Sequence, residues 1–216
     1  MRKMTKYFAL LLTLLCMPMA LIGGSSKQSS AQAETPTTET IVLNDFETSA
    51  QFNYFMMSNS LGQVSMNGDT RYVSSGETSA RVYVQPDLFN GRMDAKIPGL
   101  YHALKLVRED VDYTNFRYVT KVKTKVYNPD SAEKEIGLQL VYTVKNRSLV
   151  TGKAQWYTLA PNAWTEIVFE IGSTTIPVAY KKKACGVNFV FKRPAEDAEG
   201  YTLYLDDFAL EKKVLS

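Results

Sequence analysis

The chain has 216 residues, 45% hydrophobic, 12% aromatic and 22% charged, which is enough apolar material for a packed core and excludes wholesale disorder. Its formal charge is +3, but residues 1–33 hold four of the 25 basic residues and no acid, leaving 21 basic against 22 acidic groups. A remainder so close to neutral argues against general nucleic-acid binding, which draws most of its affinity from basic charge.

Met1–Lys6 is short and positive, Tyr7–Ile22 is a nearly unbroken apolar run, and Gly23–Ala33 is small and polar, ending Ala31-Gln32-Ala33. This is the pattern of a secretory signal peptide, predicted over 1–33. The apolar run falls short of the ~20 residues a membrane span needs, so an uncleaved anchor is the weaker reading. A lipid anchor on Cys16 is set aside, because Leu15 stands where a bacterial lipobox has a small residue. After cleavage Cys185 is the one cysteine left, so the domain has no internal disulfide. Export without disulfides reads as a bacterial secreted or cell-surface protein. A lone Cys185 and a lone His102 also exclude a Cys/His zinc cluster, a metal facial triad and a thiol-protease pair.

Residues 34–40 are Thr-rich and acidic and read as an exposed linker; the domain itself is predicted over 41–213. Strand-like runs follow at Ile41–Phe46, Gln51–Met57, Gly62–Met66, Ala80–Gln85, Ala103–Val107, Phe116–Tyr127, Ile136–Val144, Gln155–Leu159, Trp164–Ile171, Ala184–Phe191 and Tyr201–Leu210. Between them lie turn formers such as Asn67-Gly68-Asp69, Asn128-Pro129-Asp130, Pro161-Asn162 and Glu199-Gly200. Helical periodicity is absent beyond two turns. Many short strands at this spacing predict an all-β sandwich or barrel.

Period-two alternation sorts the faces. Val122, Thr124 and Val126 face one way, and Lys121, Lys123, Lys125 and Tyr127 the other. Ile136, Leu138 and Leu140 are expected inward with Gln139 outward. Ile167, Phe169 and Ile171 form one stripe; Cys185, Val187, Phe189 and Phe191 form another, with Asn188 opposite. Strands with one apolar face fit two antiparallel sheets packed on each other.

Leu43-Asn44-Asp45-Phe46-Glu47 resembles the opening "FE" strand of jelly-roll carbohydrate-binding modules attached to bacterial polysaccharide-degrading enzymes. Gly76-Glu77-Thr78-Ser79-Ala80-Arg81-Val82 resembles their "G-x-x-S-x-x-V" strand, and Asp112–Phe116 leading to Val126-Tyr127-Asn128-Pro129 resembles the strand ending in "V-Y-N". Trp156–Leu159, Pro161–Trp164 and the closing Leu203-Tyr204-Leu205-Asp206-Asp207-Phe208 complete the series in order. The resemblance spans nearly all of 41–213 and implies a two-sheet antiparallel jelly-roll β-sandwich of the calcium-containing, galactose-binding-like type. Fold does not give function, and this superfamily has members with no known ligand.

The resemblance also implies a structural calcium between the first strand, the last strand and the loop before "G-x-x-S". Its candidate ligands are Glu47, Glu77 and Asp206, with backbone carbonyls near Gly76 and Ser79. Calcium takes six to eight oxygens, which such segments can supply; the alternative is that these acids are solvated strand ends. For a polysaccharide or oligosaccharide, parity nominates Trp156, Tyr127, Gln139 and Asn188 on one shared outward face, with Lys121, Lys123 and Lys125 lining the same sheet. Three ammonium groups there suit an anionic glycan; the alternative is a solubilising row that guards against edge pairing. Trp164 opens an alternating strand, where Trp normally packs at a core or rim. The chain is expected to be monomeric.

Catalysis is disfavoured. Asp206 and Asp207 are adjacent and are expected on opposite faces of a strand, and no Gly-x-Ser-x-Gly elbow exists. Glu196, Asp197 and Glu199 fall in a loop, and His102 beside Tyr101 makes no site by adjacency. The expected function is non-catalytic polysaccharide binding. A protein-binding or structural surface domain remains open as the alternative, with a polysaccharide-degrading enzyme behind it.

Overall fold

Short period-two apolar runs broken by turn residues cannot bury themselves singly; they pair edge to edge and stack face to face. In the computed structural model, described over residues 37–49, 64–85, 94–100, 116–143, 149–172, 184–193 and 199–214, they do so as two antiparallel sheets. The described strands are β1 (Thr38–Asn44), β2 (Val64–Asn67), β3 (Ser79–Val84), β4 (Asp94–Leu100), β5 (Val119–Asn128) and β6 (Lys134–Thr143). They continue with β7 (Leu149–Thr151), β8 (Gln155–Leu159), β9 (Ala163–Glu170), β10 (Ala184–Lys192) and β11 (Tyr201–Lys213). The fold is an all-β sandwich of jelly-roll type.

The six-stranded sheet runs β2-β3-β11-β5-β9, with β1 on β11; the five-stranded sheet runs β4-β10-β6-β7, with β8 on β6. The final strand is the organiser. Its first half pairs with β3 (Leu205 opposite Ala80) and its second with β1 (Leu210 opposite Ile41), while β5 takes its other edge. Between the layers lie Leu43, Phe46, Phe116, Ile136, Leu138, Phe169, Phe189, Phe191 and Phe208, all essentially without solvent contact. Phe189 of β10 meets Phe208 of β11 with ring centroids 5.5 Å apart, joining one sheet to the other. Each such side chain contributes about 1.5–3 kcal/mol by leaving water.

The parity reading holds for Val122, Val126, Ile136, Leu138, Leu140, Ile167, Phe169, Val187 and Phe189, all buried. Boundaries differ at several strands, and β7 (Leu149–Thr151) has no expected counterpart. β1 begins at Thr38, inside the stretch expected as linker, because Thr38 to Thr40 pair with Lys213 to Glu211. β4 has no counterpart among the expected strands, since Pro98 and Gly99 read as breakers; it sits at a sheet edge, where proline is tolerated. The leader 1–33, the expected strands Gln51–Met57 and Ala103–Val107, and His102 lie outside the described residues. Among the described residues no helix is long and apolar enough to cross a membrane.

Candidate functional site

The residues expected on one shared face divide between the two sheets. Tyr127, Lys121, Lys123 and Lys125 lie on β5 of the six-stranded sheet. Gln139 on β6, Asn188 on β10 and Trp156 on β8 belong to the five-stranded sheet. Each parity was right within its own strand, but parity cannot say which layer a strand joins, and the two outer faces point away from each other.

On the six-stranded sheet the register sets Arg81, Tyr204, Tyr127 and Trp164 in one row across four strands. Tyr72, delivered by the 3-10 turn Thr70–Tyr72, stacks on Tyr204 at 4.3 Å and 11°. Tyr127 meets Trp164 at 5.5 Å and Tyr72 at 5.3 Å, both tilted. Tyr72 and Tyr204 thus spend a face on each other, whereas Tyr127 meets Tyr72 and Trp164 at a tilt. Burial lifts the Tyr204 hydroxyl above its ordinary pKa.

The lysines beside this band are paired. Lys123 meets Glu211 at 2.5 Å, Lys125 meets Asp207 at 2.9 Å, and Lys121 lies 3.4 Å from Glu211 and 3.7 Å from Glu170. Hydrogen bonding to Glu211 and to Asp207 holds the Lys121 and Lys125 ammonium groups above their ordinary pKa, and the Lys123 hydrogen bond holds Glu211 below its own. Each ammonium of the row has a carboxylate partner on its own sheet.

The acids expected to hold calcium grip a loop instead. Glu47 accepts from the backbone N–H of Glu77 at 3.0 and 3.1 Å and of Thr78 at 3.1 Å. Asp206, wholly buried, accepts from the N–H of Ser74 at 2.8 Å, Ser75 at 3.2 Å and Asp207 at 2.9 Å. Burial pushes the Asp206 carboxyl up to about 6 against the pull of those amides. The Ser79 hydroxyl donates to the Tyr72 carbonyl at 2.6 Å and accepts from Asn67 at 3.1 Å. The Glu77 residue is exposed. As placed, these residues do not fit a calcium ion: N–H donors stand where a cation would have to sit, and the Ser79 oxygen is already spent. Among the described residues no cluster of three metal-ligating side chains forms.

Asp206 and Asp207 do not point apart as adjacent strand residues should. A register shift follows Asp206, and Asp207 has φ 52°, so both carboxylates reach the 74–75 loop. Asp207 accepts from the hydroxyls of Ser74 and Ser75. Burial opposes its ionisation, but Ser75 and Lys125 outweigh burial and keep it below the ordinary carboxylate range.

On the five-stranded sheet the register brings Gln139 opposite Asn188, and Gly137 opposite both Trp156 and Val190. Gly137 is a glycine in mid-strand because a Cβ there would stand 3.1 Å from Val190 Cβ and 3.3 Å from Trp156 Cε3. The indole thus rests against the β6 strand. Lys192 lies over the ring with its ammonium 5.1 Å from the centroid and bonds the carboxylate of Glu135. Gln139 and Asn188 are each 6% exposed despite their outward parity. Gln139 donates to the Gly152 carbonyl at 2.5 Å, while its Oε1, fully buried, has no donor among the described residues.

Sequence reasoning named Trp156, Gln139 and Asn188 but missed Gly137, Glu135 and Lys192. The one signal for Gly137 was a glycine inside the apolar run Ile136–Leu140. Glu135 and Lys192 carried none.

No protein-family model matches the chain, and no curated protein matches it significantly. Solved structures similar to it include the family 11 carbohydrate-binding module of the cellulosomal cellulase Lic26A-Cel5E of Clostridium thermocellum. That match has 12% identity and TM-score 0.47, covering 82% of this chain and 96% of that one. The CBM22-1 xylan-binding domain of Paenibacillus barcinonensis Xyn10C matches at 12% and 0.44, covering 71% and 83%. The CBM22-1–GH10 modules of Clostridium thermocellum endo-1,4-β-D-xylanase 10B, complexed with xylohexaose, match at 12% and 0.45 over 70% of this chain. This chain spans 25% of the length of that two-module protein. At such identities and TM-scores the likeness says nothing of this chain's ligand.

Proposed function

We propose that this chain is an exported, non-catalytic domain that holds a polysaccharide on the outer face of its five-stranded sheet, around Trp156, Gln139 and Asn188. The observation that carries the reading is the partly exposed Trp156 indole on that face, beside the Gln139 amide whose Oε1 has no hydrogen-bond donor among the described residues. An unpaired buried acceptor costs about 1–3 kcal/mol, and a sugar hydroxyl is a donor that relieves it once the Gln139 amide turns outward to meet the ligand. Asn188 stands opposite with a second amide, and Trp156 adds an aromatic surface on the same side. The leader pattern of residues 1–33 supports export.

The non-catalytic part of the reading is supported by where carboxylates among the described residues are spent. Asp206 and Asp207 hold the 74–75 loop, and Glu135 is paired with Lys192. A glycosidase needs two carboxyl groups facing one substrate.

Affinity electrophoresis through gels containing xylan or mixed-linkage β-1,3-1,4-glucan tests the reading, both polymers being of the kinds named for similar structures. Retention is expected in one of them. Trp156→Ala abolishes it, and Gln139→Leu, which keeps the size of the side chain, weakens it about tenfold, the size of one hydrogen bond. Retention untouched by both substitutions would move the binding surface elsewhere.

A further inference from the structure

We infer that Lys192 and Glu135 form a lid on the Trp156 indole which a neutral polysaccharide must displace; the inference rests on the sugar-binding reading above. Lys192 on β10 and Glu135 on β6 flank the paired residues Phe191 and Ile136, so their side chains meet across two adjacent strands. Glu135 takes one hydrogen of the Lys192 ammonium, which lies 5.1 Å from the indole centroid. Gly137 sets the floor: with no side chain at that position, the indole settles against β6 beside Val190.

A pyranose stacks on an indole through C–H groups of slight positive charge, drawn to the same electron-rich face that attracts an ammonium. Lys192 and the sugar compete for one place. The counter-charge on Glu135 settles the ligand class, because a neutralised ammonium offers a uronate nothing that Glu135 does not already supply. Lys192 is therefore a specificity-determining residue that sets how readily the ring is given up. Both side chains are accessible at this position, Lys192 being 48% and Glu135 39% exposed.

The experiment compares wild type, Lys192→Ala and Glu135→Gln in gels containing xylan, mixed-linkage glucan or polygalacturonate. Lys192→Ala is expected to bind the neutral polymer about 3- to 5-fold more tightly, the worth of one exposed cation–π contact. Glu135→Gln frees the ammonium and brings measurable retention by polygalacturonate. Raising sodium chloride from about 0.05 to about 0.5 M tightens wild-type binding by screening the pair and leaves Lys192→Ala unmoved. Acrylamide quenching in a Trp164→Phe background, where Trp156 is the one remaining tryptophan, reads the cover without any sugar: quenching rises in Lys192→Ala. Wild-type retention with equal or weaker retention of Lys192→Ala, or quenching that does not change, overturns the lid and leaves the sugar reading standing. No retention of any variant by any polymer overturns the sugar reading, and the lid as a sugar gate with it.

Discussion

The carboxylate of Glu47 fills the space into which residue 76 would project a side chain. Gly76 has φ +69°, and a Cβ built there would overlap Glu47 Oε1, which is bonded to the amides of Glu77 and Thr78. Glycine is required twice over, by the left-handed backbone and by the acid beside it. Gly76→Ala is expected to cost about 2–4 kcal/mol in denaturant unfolding, from backbone strain plus the displaced carboxylate. Removing the acid as well relieves the overlap, so Gly76→Ala/Glu47→Ala loses less than the two single variants together. Strictly additive losses would mean the two residues are not in contact.

Asp206 makes stability depend on pH in an unusual direction. Its folded pKa, raised to about 6, lies above the unfolded value of 3.8, so folding takes up a proton. Its contribution is fullest below about pH 4 and is lost as pH rises through 6, by up to about 3 kcal/mol. Asp207 and Glu211, held low, act oppositely: their contribution is present above the ordinary carboxylate range and lost on acidification. Total stability mixes the two signs, so the difference between wild type and Asp206→Asn isolates this one group. That difference should shift against wild type from pH 4 to 7 in urea titrations; a shift in its favour would reverse the assignment.

Calcium addition discriminates between the amide clasp and an ion at the same acids. With N–H donors already on Glu47 and Asp206, neither a chelator nor millimolar calcium should move the melting temperature by more than about 1 °C, since a ligand that does not bind the native state cannot shift it. A rise of several degrees with calcium would require the 74–78 loop to turn its amides away and its carbonyls inward.

The sandwich was legible because burial on one face writes a period of two into each strand. Ile136, Leu138 and Leu140 alternate with Gln139, and Val187, Phe189 and Phe191 with Asn188, so the two faces of each strand separate by inspection, although Gln139 and Asn188 on the outer face are themselves nearly without solvent contact. Layer assignment was not legible. Tyr127 and Gln139 are both outward, yet register with different partners sends them to opposite sides of the molecule. The clasp was half legible: the resemblance placed Glu47, Asp206 and the loop at Gly76 together as calcium ligands, whereas both acids accept amides of that loop, and sequence alone does not tell whether an acid meets an ion or an amide. β4 was missed because Pro98 masks an edge strand, and Asp207 because a bulge resets parity.

Gly137 is where the fold and the proposed site make the same demand. A Cβ at this position would stand 3.1 Å from Val190 and 3.3–3.4 Å from two indole atoms, tighter than side chains normally approach, although the backbone there is ordinary strand. Gly137→Ala therefore introduces no strained φ, and its effect must come from pushing the indole outward by a few tenths of an ångström. The strand gains from losing glycine's conformational freedom, by roughly 0.5–1 kcal/mol, against an overpacking cost of about 1–3 kcal/mol. The expected result is a net loss near 1 kcal/mol in stability, with a larger proportional loss of polysaccharide retention and a shifted Trp156 emission in the Trp164→Phe background. If stability falls while retention and emission stay fixed, the indole has moved without consequence, and Trp156 is packing rather than platform.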